Sequence, residues 1–337
     1  RAVEDNLADL RAAVASNPAG AQALRALGRT HGADTLRTYM SRLAGLSRDV
    51  LGERLEAIPD GAYRAVESLD DGTPIAVRVD VRGDRATIDF DGSGGVHPGN
   101  FNATPAIVQS AVIYLLRLLI DRPLPLNEGL LEAVSIRIPA GFLNPGFHAD
   151  PQRCPAVVGG NVETSQRVVD CLIRALELAA CGQGTMNNVI FGNADYGYYE
   201  TIGGGGGATS RGPGASGLHS HMTNTRITDP ELLESRYPVR LERFGLRRGS
   251  GGPGKHPGGD GLVRELTFLQ PASLSLLAQH REQAPFGMAG GSPGQVGRQW
   301  IVSADGTRET LRGVDSAELG EGDRFVIETP GGGGWGG

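Results

Sequence analysis

Clusters of glycine are the feature that most constrains what this chain can fold into. Glycine accounts for 52 of the 337 residues, roughly twice the ordinary share of about 7%. Sixteen of these glycines fall in clusters at 203–207, 249–254, 258–261 and 331–334. The clusters lack the three-residue period of collagen, and the 39% hydrophobic content excludes a disordered chain. Because glycine lets backbones approach closely, the clusters predict a compact fold with many tight turns and backbone contacts.

Charge and cysteine usage exclude several classes of protein. The 32 Lys and Arg residues against 38 Asp and Glu residues give a net charge of −6, which argues against binding to nucleic acid or an anionic membrane. Three cysteines without a C-x-x-C pair predict a reduced, cytoplasmic protein: Cys154, Cys171 and Cys181. The most apolar run, 106–120, is too short to span a bilayer and contains Gln109 and Arg117, so it predicts a buried helix.

Hydrophobic periodicity in the first half of the chain predicts helices around a hairpin. Helical spacing predicts one helix over residues 5–15, ending near Pro18, and a second over 34–57. Apolar residues then alternate with polar ones on both sides of a turn at 82–84, which predicts a hairpin with one buried face. Two further helices are predicted over 104–121 and 163–180.

The second half of the chain reads as short strands between glycine clusters. Residues 262–328 are predicted to be mostly β. The order of elements predicts an α+β fold, with mixed glycine-rich sheets, buried helices and a mostly β C-terminal segment. The predicted division lies between a core at 1–260 and the terminal segment at 261–337.

A glycine-rich stretch at 249–255 matches both G-x-G-x-x-G and the first half of a P-loop. A P-loop needs Ser or Thr after the lysine and a helix after the loop, because both groups hold phosphate or its metal. His256 and Pro257 follow here instead. We therefore interpret the stretch as a connection between strands, and we expect no nucleotide there.

Two histidines, His219 and His221, stand two residues apart and would share one side of a strand. Such a pair could serve a metal, but no third ligand stands at motif spacing, so no metal ligand is assigned. We instead predict that the two imidazoles form hydrogen bonds within a polar site or to a substrate. The turn at 159–161 could present N–H groups to an anion, or simply cap a helix. Further polar side chains occur in or beside glycine-dense stretches: Asn187, Asn188, Glu200 and Asn224.

Several long motifs resemble those of the hydantoinase B/oxoprolinase family. They lie at 157–167 (VVGGNVETSQR), 186–188 (MNN), 197–201 (GYYET), 219–231 (HSHMTNTRITDPE), 234–238 (ESRYP), 247–252 (RRGSGG) and 329–334 (TPGGGG). The resemblance runs through nearly the whole chain. Within the family, the motifs are most similar to the C-terminal part of the single-chain, ATP-hydrolysing 5-oxoprolinases.

The resemblance implies a reaction in which ATP drives the opening of a five-membered lactam. The lactam oxygen of 5-oxo-L-proline is phosphorylated, water adds to the activated carbon, and collapse gives L-glutamate, ADP and phosphate. ATP and Mg²⁺ are expected on a separate hydantoinase A-like part. A divalent metal is expected on the opening segment of the B-like part, to which nothing in this chain corresponds. The resemblance thus implies a portion of a larger enzyme, inactive alone, with these parts as partners and oligomerisation expected.

Within that reading, three side chains are candidates for orienting water or moving protons: Glu200, His219 and His221. The groups expected to hold the substrate are Asn161, Asn187, Asn188, Gly204, Gly205 and Asn224. A donor aimed at a developing oxyanion is typically worth about 3–4 kcal/mol of transition-state stabilisation. The alternatives are the B-type subunit of an N-methylhydantoinase, another lactamase or a related carboxylase, and a non-catalytic assembly module of such a complex.

Overall fold

The computed structural model describes residues 3–223 and 225–337. It has the predicted α+β class, with five α-helices and three sheets in the described ranges. The helices are α1 Val3–His31, α2 Ala33–Glu56, α3 Pro105–Leu119, α4 Ser165–Ala175 and α5 Pro230–Arg236. The strands are β1 Gly61–Ser68, β2 Pro74–Arg82, β3 Arg85–Asp89, β4 Val134–Arg137, β5 Asn188–Gly192, β6 Gly197–Glu200, β7 Val239–Arg247, β8 Gly261–Phe268, β9 Ala272–Leu277, β10 Arg298–Val302, β11 Arg308–Leu311, β12 Val314–Leu319 and β13 Arg324–Glu328. In the described part of the chain, no helix combines the length and the apolar character that crossing a membrane requires.

The first two helices follow one another directly and are mostly exposed. The predicted end of the first helix near Pro18 was wrong, because α1 continues through that residue to His31. A proline inside a helix removes one backbone hydrogen bond, and the exposed surroundings leave the freed carbonyl to solvent. Gly32 joins the two helices with a positive φ of 85°, a conformation that glycine adopts without strain.

The first hydrophobic core lies between a four-stranded sheet and three helices. The sheet has the order β1-β2-β3-β4, and the predicted hairpin is confirmed by β2 and β3, which pair in antiparallel register. Successive residues of β2 alternate between buried and less buried positions, and the large apolar side chains occupy the buried ones, as a strand with one covered face requires. The C-terminal part of α2, the apolar helix α3 and the helix α4 cover that face.

The second hydrophobic core lies between the other two sheets, both antiparallel. Their orders are β11-β10-β13-β8-β7 and β12-β9-β5-β6. Strand β7 precedes residue 260 and pairs with β8, which follows it, and β5 likewise pairs with β9. Residue 260 therefore falls between strands that pair with each other in both sheets.

The glycine clusters meet in a bundle of extended segments joined by backbone hydrogen bonds. The N–H of Gly259 donates to Gly206, that of Gly332 to Gly259, and that of Gly252 to Gly332. A Cβ on Gly205 would lie 2.0 Å from the carbonyl oxygen of Gly259. Any side chain at such positions would occupy the space of a neighbouring backbone, so the bundle explains the glycine content.

The helix at the centre of the molecule begins with an unusual turn. Residues Gly160–Thr164 form a π-helical turn that continues directly into α4. The predicted helix over 163–180 is therefore shorter than expected and ends at Ala175. All but one of the eleven α4 residues are buried, because the helix is enclosed by the first sheet, α3 and the chain leading into the glycine bundle. Such π turns often accompany functional sites.

Candidate active site

A stripe of polar side chains runs along one side of the π turn and α4. Its members follow helical spacing of three or four residues: Glu163, Gln166, Arg167, Asp170 and Arg174. We call this set the α4 polar stripe. Its first four members are buried. Since unpaired polar groups are costly in an apolar interior, the partners of the stripe decide what it can do.

Arg167 and Arg174 attach α4 to the first strand through one carboxylate. The Nη2 of Arg167 lies 3.1 Å from Oε2 of Glu67 and donates to the carbonyl of Ser68 at 3.0 Å. Arg174 contacts the other oxygen of Glu67. Arg167 is only 1% exposed, so its charge is neutralised inside the protein by Glu67 and by Asp170, 3.6 Å away.

Asp170 joins the stripe to one of the predicted histidines. Its Oδ1 lies 3.0 Å from Nε2 of His221, which packs beside the ring of Tyr114. Burial pushes the pKa of Asp170 upward, but the attraction of His221 and Arg167 outweighs it and holds that pKa below the usual value. Asp170 is therefore a buried carboxylate beside an imidazole, a pair that can orient the ring and move a proton.

A second histidine and a cysteine approach Asp170 from other parts of the chain. The Sγ of Cys181 lies 3.7 Å from Nε2 of His280, and Arg167 contacts the same nitrogen. Burial and the nearby Arg167 charge lower the pKa of His280 to about 3, and burial raises the pKa of Cys181 well above its usual value. Both groups are neutral at pH 7, so the thiol here has no activated, nucleophilic character.

Glu163, in the π turn, is a buried carboxyl with an unusual protonation state. Its Oε1 accepts hydrogen bonds from the Met186 N–H at 3.0 Å and from Nδ2 of Asn188 at 2.6 Å. Complete burial raises the pKa of Glu163 to about 8, against the smaller lowering effect of these bonds. The group is therefore mostly protonated at neutral pH, and strongly shifted carboxyls of this kind occur often at functional sites.

The raised pKa of Glu163 predicts a specific dependence of stability on pH. Between about pH 4.5 and 8 the folded state binds a proton that the unfolded state releases, so this contribution to stability decreases as pH rises through the window. Glu163→Gln keeps the neutral form, and its stability relative to the native protein should rise by up to about 1.4 kcal/mol per pH unit. Urea unfolding at several pH values measures this difference, with Glu321→Gln at an exposed position as the control. A constant difference across the window would contradict the assignment.

A surface cleft of about 240 Å³ opens beside the buried cluster. Its walls include Asp70, Asp71, Phe101, Gln279, Arg281 and Arg312. Arg281 connects the cleft to the interior, because its Nη1 donates to Oδ1 of Asn187 at 2.8 Å and its Nε to Gln299 at 2.7 Å. Asp71, which lines the cleft, lies 2.6 Å from Nε2 of His97. The cleft thus joins charged groups at the surface to the loop that carries His280.

The predicted proton-transfer residues are not brought together. His221 lies against Asp170, and His219 is half-buried nearby, where burial lowers its pKa. The prediction that the two histidines share a strand was wrong, because residues 219–223 form an irregular segment along α4 held by Ser220 and Gln166. Glu200 lies in the second core, paired with Arg264 at 2.7 Å. Its other partner there is the Tyr198 hydroxyl, which donates to Oε2 at 2.8 Å.

The predicted substrate-holding groups are also dispersed. Asn187 and Asn188 are buried and hydrogen-bonded to Gln183, Arg281, Glu163 and Tyr199. The N–H groups of Gly204 and Gly205 donate to the carbonyls of Leu218 and Pro330, so they are occupied within the glycine bundle. Asn161 is exposed on the π turn. Asn224 lies outside the described residues.

Sequence reasoning missed the charged members of the cluster. Glu163 and Arg167 lie inside a motif from which only Asn161 was selected. Asp170 follows Glu163 by seven residues, so helical spacing could have placed the two on one face. Cys181, His280 and Arg281 carried no such signal, because their partners are distant in the sequence.

Comparisons with known proteins establish the family of this chain. The family model described as hydantoinase B/oxoprolinase matches residues 1–337. The chain belongs to this family. Among relatives, 5-oxoprolinase 1 of Arabidopsis thaliana is 43% identical over 353 residues, covering 100% of this chain and 27% of the relative. The 5-oxoprolinase of Saccharomyces cerevisiae is 38% identical, covering 100% of this chain and 28% of the relative. The chain thus spans about a quarter of these proteins.

A solved structure supports the same assignment. The ATP-dependent caprolactamase from Pseudomonas jessenii superimposes with a TM-score of 0.84 at 26% identity, covering 100% of this chain and 62% of that one. The caprolactamase therefore shares the overall fold of this chain.

The glycine-rich stretch at 249–255 does not fit a nucleotide in this member of the family. The N–H of Gly251 donates to Asp260 and that of Gly252 to the carbonyl of Gly332. The chain then continues through the glycine bundle into β8 rather than into a helix. Both amides are already occupied, and the loop lacks the helix N-terminus on which phosphate binding depends.

Proposed function

We propose that this chain is the C-terminal portion of an ATP-dependent 5-oxoprolinase and contributes polar groups to its lactam-hydrolysis site. The observation that carries the proposal is the match of the entire chain to proteins named 5-oxoprolinase at 38–43% identity. The structural similarity to an ATP-dependent caprolactamase supports the same class of chemistry, since that substrate is also a cyclic amide. The substrate we propose is 5-oxo-L-proline.

His221 and His219 are the proposed proton-transfer groups. The carboxylate of Asp170 lies 3.0 Å from Nε2 of His221 and can fix the orientation of its ring. Burial lowers the pKa of His219, which favours the neutral form that can accept a proton from water. Opening a lactam requires a proton to leave the attacking water and another to reach the departing amine, so a pair of imidazoles suits both transfers.

Asn161 is the proposed group for holding the substrate oxygen. Of the predicted substrate-holding residues that the structure describes, Asn161 has an exposed side chain, while Asn187 and Asn188 are buried and bonded. Its position on the π turn places it beside the N-terminus of α4. An amide there can donate a hydrogen bond to a carbonyl oxygen that gains negative charge.

The remaining requirements of the reaction are proposed to lie outside this chain. ATP and Mg²⁺ would bind a hydantoinase A-like part, and a further divalent metal would bind the opening segment of the B-like part. Large apolar side chains on α1 and α2 are exposed, which suits contact with those parts or with another subunit: Leu10, Val14, Leu24, Leu27, Tyr39, Met40 and Leu43. We propose that the chain alone is inactive and that the enzyme is cytoplasmic and oligomeric.

Substitution of the two histidines in the full-length enzyme tests the proposed roles. His221→Ala and His219→Ala should each lower kcat for 5-oxoproline hydrolysis by about 10²-fold or more, because general acid–base catalysis contributes about 10²–10⁴-fold. His31→Ala, on the exposed end of α1, is the matched control and should leave turnover unchanged. Circular dichroism melting verifies that the variants fold. Folded variants with native turnover would exclude both residues from proton transfer.

A further inference from the structure

Three potential metal ligands converge in the interior from separate parts of the chain. A carboxylate oxygen of Asp170, Sγ of Cys181 and a ring nitrogen of His280 all lie within 4.8 Å of one another. Asp170 comes from α4, Cys181 from the segment that enters the glycine bundle, and His280 from the loop after β9. All three residues are buried. Carboxylate, thiolate and imidazole are together the donors that Zn²⁺ prefers.

Unsatisfied polar atoms at the cluster provide an independent indication of a ligand. Both carboxylate oxygens of Asp170 are buried and accept no hydrogen bond of good geometry, although Nε2 of His221 lies 3.0 Å from Oδ1 and Nη1 of Arg167 lies 3.6 Å from Oδ2. The Nε2 of His221, beside one of those oxygens, is likewise unsatisfied. Native proteins rarely leave a buried charged carboxylate in this condition, because each unmet hydrogen bond is costly. A cation coordinated by Asp170 would satisfy it.

The surroundings of His280 suit metal ligation. Its Nδ1 contacts the carbonyl oxygen of Gln283, which fixes the proton on that nitrogen and leaves the lone pair on Nε2 facing the cluster. Metal-binding histidines are commonly held in this way by a carbonyl or carboxylate on the other nitrogen. Gly184 borders the same space, since a Cβ there would lie 2.4 Å from Oδ2 of Asp170 and 2.6 Å from Nε2 of His280.

Arg167 is the group that a metal would displace. Its Nη1 contacts Nε2 of His280, while Nη2 is held by Glu67 and by the Ser68 carbonyl. If the guanidinium rotated while Nη2 kept its contacts with Glu67 and Ser68, Nη1 would move away from Nε2 of His280. That nitrogen would become free to bind a metal, and the Arg167–Glu67 pair would remain. Metal binding would also release the thiol proton of Cys181, as coordination of cysteine generally does.

We propose that Asp170, Cys181 and His280 form a binding site for a divalent metal of the zinc class. The fourth position would be taken by water, as in zinc sites with three protein ligands. The metal would tie α4 to the glycine bundle and to the β9 loop. The site differs from the proposed metal of the preceding segment in containing sulfur, and it does not depend on the proposed lactam substrate.

Cobalt substitution tests the proposal without relying on activity. The full-length protein is stripped with chelator and titrated with Co²⁺, and the thiolate-to-cobalt charge-transfer absorption is followed. We expect that absorption to saturate at one equivalent per chain and to be removed by competing Zn²⁺. Absence of the absorption in the native protein would overturn the proposal, whatever the behaviour of any variant.

Cysteine variants identify the thiolate that gives rise to the absorption. Cys181→Ala should abolish it and lower bound zinc by one equivalent, measured by mass spectrometry of the metal content. Cys171→Ala is the matched control, because Cys171 is equally buried but its Sγ contacts the backbone carbonyls of Ala65 and Ile75. Cys154→Ala is a second control, which removes the half-buried thiol of the chain and should leave the absorption unchanged. Absorption that survives in Cys181→Ala, or that disappears in either control, would place the metal elsewhere and refute the site.

Discussion

Glu200→Gln is expected to lower the free energy of unfolding by about 3–5 kcal/mol, the usual cost of removing one partner of a buried ion pair. Glu200 accepts hydrogen bonds from Nε of Arg264 at 2.7 Å, from its Nη2 at 3.1 Å and from the Tyr198 hydroxyl at 2.8 Å. Arg264 is only 1% exposed. A neutral amide would leave its charge in the second core without a counterion.

Urea unfolding of the native and variant proteins measures the loss. Glu265→Gln is the matched control, because Glu265 follows Arg264 on β8 but pairs with Arg324 near the surface. Pairs of that kind contribute about 0–1 kcal/mol. The double variant Glu200→Leu with Arg264→Met should recover part of the stability, since it removes both charges.

The same substitution separates a structural role of Glu200 from the catalytic role that the sequence predicted. If Glu200 has only a structural role, the Glu200→Gln variant should be less stable than the native protein. The fraction of the variant that remains folded should then have the native kcat. If Glu200→Gln kept native stability and lost turnover in the full-length enzyme, the catalytic prediction would be upheld and the ion pair would have little energetic weight.

Gly207→Ala is expected to destabilise the protein by about 3 kcal/mol or more, or to prevent folding, because overpacking against a rigid neighbour is costly. Its Cβ would lie 1.8 Å from the carbonyl oxygen of Ala180 and 2.6 Å from the carbonyl carbon. Both atoms belong to backbone fixed by hydrogen bonds to the glycine bundle, such as that from the Ala180 N–H to Ala208. Relief therefore requires the segments to separate.

Gly245→Ala provides the control for glycine substitution itself. Gly245 lies in β7 with open space at its Cβ position, so alanine there should be neutral or slightly stabilising. Thermal melts and soluble yield compare the two variants. A Gly207→Ala protein as stable as Gly245→Ala would show that the bundle tolerates side chains, and close backbone approach would no longer explain the glycine content.

Local patterns predicted those parts of the fold whose causes are local. The period-two alternation around residues 75–90 gave the β2–β3 hairpin, and the apolar run at 106–120 gave α3, because each pattern records which face is buried. The end of α1 was misplaced, because the helix continues through Pro18 despite the backbone hydrogen bond that proline removes. The histidine segment was misread as a strand because its conformation follows from contacts with α4.

The candidate site was predicted less completely than the fold. His221 was identified from its spacing to His219, yet Asp170, the carboxylate beside it, was overlooked. Glu200 was selected as a polar residue in a glycine-dense stretch, but its partner Arg264 lies 64 residues away on another strand. A polar residue in an apolar setting is either paired or functional, and only knowledge of its partner distinguishes the two.

The sequence by itself determined the family, the α+β class and the close packing of glycine-rich backbone. Motifs, hydrophobic periodicity and glycine content can all be read from short stretches of sequence, because each depends only on neighbouring residues. Tertiary structure alone decided which polar groups meet. Arg167 and His280 are 113 residues apart, and their contact depends on how α4, the glycine bundle and the β9 loop pack together. Burial at that junction, a property of the whole fold, also sets the pKa values of Glu163 and His280.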